Sequence, residues 1–315
     1  MIKTSICELL GIQYPIFQGG MAWIADSSLA AAVSNAGGLG IIAAMNADAA
    51  WLREQIHEVR RLTDKPFGVN VMLMSPFVEE VAQLVMEEKV PVVITGAGNP
   101  AKYVKDWKAA GIKVIPVVAS VALAKMMAKR GVDAVIAEGG ESGGHVGDLT
   151  TMVLVPQVVD AVDIPVLAAG GIGDGRGIAA AFMLGAEGVQ VGTRFLVAHE
   201  CTVHPAYKQR ILKAKDIDTM VTGRRLGHPV RAIRNAFTKE YLKKEYNSNI
   251  SDEELERMGA GSLRKAAVEG NEQDGTFLAG QIAAMVTKEQ PAAEIIQEMF
   301  EEAEQVLGGA AKWLR

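Results

Sequence analysis

Short runs of β-branched and aliphatic residues recur along the first two thirds of the chain. Each ends in a small or polar residue and leads into a stretch with apolar positions three and four apart. The runs fall at 15–18, 39–42, 66–70, 92–95, 114–117, 134–138, 165–169 and 188–191. Their ends lie between 21 and 31 residues apart, the span that one strand, one helix and two short loops occupy. The stretches between them carry a single apolar face, as in Trp51, Leu52, Ile56 and Val59, and again in Val78, Val81, Leu84 and Val85. Asp48 and Asp174 precede such stretches as N-caps, and Pro100 suits a first helical turn after Asn99. Eight units of this kind predict the α/β class and a TIM (β/α)8 barrel, with a doubly wound open sheet as the alternative.

After Val191 the alternation stops. Residues 199–275 are richer in charge, punctuated by Gly223, Gly227, Gly259 and Gly261, and predict short helices and loops without clear strands. From Thr276 a helical pattern returns, with Ile282, Met285, Val286, Ile295, Ile296, Met299 and Val306 as its apolar positions. The expected organisation is therefore a barrel of residues 1–198 plus 276–315, carrying an inserted, substrate-side helical module of residues 199–275 after the eighth strand. The C-terminal helix would close the outer ring.

Composition narrows the class. The chain has 315 residues, 49% hydrophobic and 22% charged, enough for a large buried core. No run reaches the length of a membrane span, and Glu8 and Pro15 interrupt what would be a signal-peptide core, so the expected location is the cytoplasm. Two distant cysteines, Cys7 and Cys201, make no disulfide framework. A net charge of −5 argues against nucleic acid as partner. The charge is unevenly spread: residues 208–244 hold 11 Lys or Arg against 3 Asp or Glu, and residues 251–304 hold 4 against 13. The first segment could receive an acidic partner through Arg224, Arg225, Arg231 and Arg234, or the two segments could pair with each other.

In a TIM barrel chemistry sits at the C-terminal ends of the strands. There the sequence places Gln18, Gly19, Gly20, Met21 and Ala22, then Asn70, then Glu138 with a loop containing Ser142, Gly143, Gly144 and His145, then Gly170 and Gly171, and finally Gly192 and Thr193. Bare backbone N–H groups after the seventh and eighth strands suit a phosphate, although one such glycine pair alone could simply make a tight turn. No P-loop occurs. Glycines beside the first and sixth strands, with Met21 and the donor and acceptor of Asn70, suit a flat aromatic ligand. Glu138 is either a functional carboxylate or an acceptor for its own glycine-rich loop. His145, after small residues, is the acid–base candidate, and His57 reads as solvated surface. His199, Cys201 and His204 look like metal ligands but lack a fourth, so no metal site is expected. His228 is either a loop anchor or a substrate contact.

These strings resemble a known family. Gln18-Gly19-Gly20-Met21-Ala22, Ala36-Gly37-Gly38-Leu39-Gly40, Gly68-Val69-Asn70, Glu138 through Gly144-His145, Ala169-Gly170-Gly171-Ile172, Gln190-Val191-Gly192-Thr193-Arg194-Phe195, Gly227-His228-Pro229-Val230-Arg231 and Ala279-Gly280-Gln281 are similar to the flavin-dependent enoyl-acyl-carrier-protein reductase and nitronate monooxygenase family. Asn70 followed by Val71-Met72-Leu73-Met74-Ser75-Pro76 resembles the reductase branch. The resemblance implies a cytoplasmic oxidoreductase of fatty acid biosynthesis with FMN at the barrel mouth. Its phosphate would lie near Gly171, Gly192 and Thr193, and its ring near residues 18–21, Asn70 and Glu138. It also implies NADH or NADPH as co-substrate, NADH being the family-level choice, an acyl carrier protein bearing the enoyl chain, a homodimer, and a response to monovalent cations. His145 would position or protonate the substrate. In the monooxygenase branch His145 would instead take an α-proton from a nitroalkane.

Overall fold

Along each predicted run alternate side chains face opposite ways, and the two faces meet different partners. The computed structural model describes residues 2–44 and 47–313. Met1, Met45, Asn46, Leu314 and Arg315, all within the span expected for the barrel, lie outside the described residues. The strands are β1 (Ile16–Gln18), β2 (Gly40–Ala43), β3 (Phe67–Met72), β4 (Val92–Gly96), β5 (Lys113–Val118), β6 (Val135–Glu138), β7 (Gly144–His145), β8 (Val166–Ala169), β9 (Gly188–Val191), β10 (Thr219–Thr222) and β11 (Val230–Ile233). Eight of them pair in parallel in the order β1-β9-β8-β6-β5-β4-β3-β2. A bridge between Phe17 and Leu39 joins the two ends into a barrel. Each of the eight coincides with a predicted run.

One face of these strands fills the barrel with Phe17, Ile41, Ile94, Ile115, Ile136 and Leu167, and the helix Ser5–Leu10 plugs it from below with Ile6 and Leu10. The other face packs on the helices, where Leu52, Ile56, Val59, Val81, Leu84 and Val85 are buried. The expected caps form. Asp48 accepts from the Trp51 N–H at 2.9 Å, Asp174 from Arg176 and Gly177 at 3.0 and 3.2 Å, and Asn99 from Ala101 at 3.0 Å. The C-terminal helix Ala292–Gly308 packs on Gly175–Met183 and Ser27–Asn35, completing the outer ring. No helix among the described residues is long and apolar enough to cross a membrane.

Residues 199–275 differ from expectation. Helices Pro205–Leu212, Ala236–Glu245, Asp252–Gly259 and Ser262–Ala267 are present, but so are β10 and β11, which pair antiparallel and continue onto β7 in the order β10-β11-β7. The reading of this segment as strand-free is corrected. Its two strands are four residues each, only partly buried, and one of their partners, Gly144–His145, belongs to the loop after β6. Periodicity within a short, charge-rich window carries little of that information, because the pairing is long-range.

Candidate active site

A cavity of about 480 Å³ opens above the C-terminal ends of the barrel strands. Its floor is the top layer of the barrel interior, where Asn70, Gly96, Val117, Glu138 and Gln190 point upward. The walls are the strand-end loops, with Gly19, Gly20, Met21, Ala22, Ser142, Gly143, Gly144, Gly170, Gly171, Gly192 and Thr193 all lining the space. Fourteen of the fifteen residues singled out from the sequence thus converge, His145 included.

Gln18 is the exception. It is fully buried, and its amide accepts from the Ile41 N–H at 3.1 Å and donates to the Gly19 carbonyl, tying β1 to β2. A strand's last residue can point into the ladder as readily as into the mouth.

The floor is close-packed against the loops. Gly20 lies so near Asn70 that a Cβ there would come within 2.4 Å of the Asn70 Cβ, so only glycine lets the loop after β1 cross that side chain. Gly170 holds a left-handed φ of 86° with the Gly139 carbonyl 2.7 Å from where its Cβ would be. Glu141 fastens two loops together. Its carboxylate accepts from the Thr151 N–H at 2.9 Å and hydroxyl at 3.0 Å, and that hydroxyl reaches the Gly170 carbonyl at 2.9 Å. The Thr193 hydroxyl accepts from the Gly280 N–H at 2.9 Å, tying the loop after β9 to the Ala279-Gly280 backbone.

His145 is fixed from above. In β7 it pairs with Val230 of β11, which pairs with Thr222 of β10, so Thr222, Val230 and His145 form one row across the small sheet. All three line the cavity. His228, two residues before Val230, shares that face and lines it too. Above them Leu226, Phe237, Tyr241, Leu255, Leu263 and Leu278 supply an apolar roof.

Two ionisable groups here are displaced in opposite directions. Burial raises the Glu138 carboxyl to about 7, an effect the nearby Ser142 hydroxyl only partly offsets. Crowding by surrounding atoms, and then the like charge of His228, hold the His145 imidazole below its ordinary range although the residue opens to solvent at the rim. Near neutrality His145 is therefore a neutral imidazole, and Glu138 lies close to its midpoint.

Three contributors escaped the sequence reading. Gln190 points up from β9 with its Oε1 buried and without a hydrogen-bond partner among the described residues. A glutamine inside an apolar strand run was the available signal. Gly280 crosses Gly143 so closely that a Cβ on Gly143 would lie 2.7 Å from the Gly280 nitrogen. The roof residues gave no signal, since leucines and aromatics at helical spacing read as core.

Elsewhere the remaining candidates are occupied structurally. His204 caps Pro205–Leu212, its Nδ1 accepting from the Ala206 N–H at 3.1 Å. Burial raises the Cys201 thiol to about 11. His57 faces Glu88 at 3.1 Å on an exposed helix surface. The basic and acidic segments pair in part: Arg210 with Glu272 at 2.7 Å, Arg225 with Asp252 at 2.9 Å, Lys208 with Glu289 at 3.6 Å and Lys244 with Glu254 at 3.7 Å. Arg231 donates to the Gly140 carbonyl at 2.9 Å, so it and Arg225 are built into the fold.

The sequence profile described as nitronate monooxygenase matches residues 3–83 and 74–302. A (3aS,4S,5R,7aS)-5-hydroxy-7a-methyl-1-oxo-octahydro-1H-indene-4-carboxyl-CoA dehydrogenase of Rhodococcus jostii is 43% identical over 232 residues, covering 74% of this chain and 66%, just under two thirds, of that one. A probable nitronate monooxygenase of Staphylococcus aureus is 35% identical over 97% of this chain and 98% of that one. The solved structure of FabK from Thermotoga maritima superposes with a TM-score of 0.97 at 50% identity, covering 99% of this chain and all of that one. With the profile running through both the barrel strands and the segment that roofs them, the chain belongs to the nitronate monooxygenase family.

Proposed function

We propose that this oxidoreductase is an FMN-dependent enoyl-acyl-carrier-protein reductase, reducing trans-2-enoyl thioesters with NADH or NADPH. The observation that carries the reading is the apolar roof: Leu226, Phe237, Leu255 and Leu278 enclose space above His145 suited to an acyl chain, which a small nitroalkane would leave largely wet. The likeness to Thermotoga maritima FabK over 99% of the chain supports it.

The lower half of the cavity fits FMN. Gln190 Oε1 is a buried polar atom without a hydrogen-bond partner among the described residues, and Gly20, Gly171 and Gly192 keep backbone bare where a ring and a phosphate must come close. Backbone N–H groups of Gly170, Gly171, Gly192 and Thr193 would hold the phosphate, and Asn70, Glu138 and Gln190 the ring. When bound, FMN supplies the hydride chemistry. The chain's own residues do the rest. The neutral His145 ring offers an N–H to the thioester carbonyl and positions the α-carbon for protonation. Glu138, protonated in about half the molecules near pH 7, keeps a proton at the floor. The roof excludes water. Exposed Arg234, with exposed Arg224 beside the solvated Asp148 at 3.5 Å, would meet an acidic carrier protein.

Anaerobic reduction of the purified flavoprotein by NADH, followed by crotonyl thioester or nitroalkane, tests the proposal. Reoxidation by the enoyl thioester is expected. Reoxidation by the nitroalkane alone would overturn it in favour of nitronate monooxygenase, the reading that the Staphylococcus aureus relative supports.

A further inference from the structure

Glu245 is an acid at the wrong end of a helix. It is the last residue of Ala236–Glu245, where the helix dipole disfavours a carboxylate, and it is only 3% exposed. Among the described residues no cationic side chain forms an ion pair with its carboxylate. Its carboxylate instead accepts two backbone N–H groups of a neighbouring turn, from Gly223 at 3.0 Å and Arg225 at 2.9 Å. Arg225, the obvious counter-ion, gives its guanidinium to other acceptors, the carbonyls of Glu245 at 3.4 Å, Asn247 at 3.2 Å and Ile250 at 2.7 Å, and the Asp252 carboxylate at 2.9 Å.

The turn that hangs on this carboxylate is closed by backbone bonds of its own, and the Arg225 guanidinium ties it to the chain after the helix. His228 N–H donates to the Gly223 carbonyl at 3.1 Å, and Gly227 N–H to the Arg224 carbonyl at 3.0 Å. It links β10 to β11 and carries Leu226 and His228 into the cavity. From the helix side Tyr241 lines the same space one turn before Glu245. The carboxylate therefore joins the two halves of the roof, the hairpin turn and the helix, at a point behind the cavity surface.

We propose that Glu245 is a positioning residue that sets the height of the roof by holding the 223–228 turn, and so determines how long an enoyl chain the enzyme accepts. The inference rests on the reductase reading, and deepens it by placing chain-length selection in a residue that does not touch substrate. A short chain lying near His145 needs little of the roof. A long one must run beneath Leu226 and the helix.

The test is Glu245→Gln in the flavin-loaded protein. The two N–H groups bond different carboxylate oxygens, so the amide keeps the shape but sets an NH2 donor against one of them. A hydrogen bond to a charged group, once lost, is expected to raise KM for trans-2-dodecenoyl thioester about tenfold, with kcat and the crotonyl KM moving less than about twofold. Amide hydrogen exchange across 219–231 should quicken by a similar factor while β4 and β5 are unchanged. Glu245→Asp, which keeps the charge on a shorter arm, should recover part of both effects. Equal losses on short and long chains would overturn the proposal, as would unchanged exchange in the turn. Should the parent protein reduce no enoyl thioester, the reductase reading falls by itself. Exchange in the turn, with calorimetric binding of trans-2-dodecenoyl-CoA in place of KM, then decides the clamp.

Discussion

The floor of the cavity and its roof are held in place by different means. The floor belongs to the barrel: Asn70, Glu138 and Gln190 stand on strands whose neighbours are bonded along their length, and glycines let the loops lie almost in contact with them. The roof belongs to residues 199–275 and rests on a small antiparallel sheet, a few carboxylate and guanidinium contacts to backbone, and apolar side chains. His145 lies where the two meet, in a barrel loop but paired to the roof's β11. The difference teaches that one cavity can separate tasks: rigid backbone where a cofactor of fixed shape would sit, adjustable side chains where substrates vary.

Breaking the floor should have the largest effect. Gly192 has an ordinary φ of −106°, and a Cβ there would meet only the Met21 sulfur at 3.6 Å, so Gly192→Val tests the cradle without straining the backbone. The variant should purify folded and colourless, checked by circular dichroism and visible absorbance. A folded, fully yellow protein would place the phosphate elsewhere. At the junction, His145→Ala should retain flavin and slow reoxidation by enoyl thioester by roughly 10² to 10³-fold, the usual contribution of one donor to a developing oxyanion. Reduction by NADH should slow far less, and rapid mixing of each half-reaction separates the two.

The remaining predictions sharpen the contrast through charge. Glu138 has a folded value near 7, above its unfolded value of 4.5. Its contribution to stability is therefore complete below the unfolded value and is lost as pH rises through about 7. Glu138→Gln should remove that slope, making the protein more stable than the parent at alkaline pH by up to about 3 kcal/mol and matching it in acid, as measured by urea denaturation across pH. On the roof side, His228→Ala removes a like charge from His145, whose midpoint should move up by less than about one unit, within the usual range of a single screened neighbour. Proton NMR titration of the imidazole would show it, and a downward shift would mean that His228 acts otherwise.

How much of this was legible in the sequence follows the same division. All eight barrel strands were readable because a parallel strand buried on both faces writes its own signature: a short aliphatic run, a small residue at its end, a helix after it. The floor and walls followed, since the fold fixes which ends face the mouth. Gln18 was misplaced because the last residue of β1 turns its amide into the ladder toward Ile41, a choice of side-chain direction that no spacing encodes. The roof was opaque for another reason. Gly144 and His145 become a strand only by meeting Arg231 and Val230, and Glu245 looks like any acid on a charged helix until its two backbone partners are seen.

The pairing of His145 with Val230 also sets an order of events during synthesis. Chains emerge from the N-terminus, and the strands through β6 can associate early because each contacts its sequence neighbour. The loop after β6 cannot: His145 waits for Val230, and Gly143 waits for the Ala279-Gly280 backbone that crosses it. A nascent barrel stalled before β11 would hold its strands with His145 still unpaired. The candidate site is in this sense assembled late, only once Val230 and Gly280 have left the ribosome.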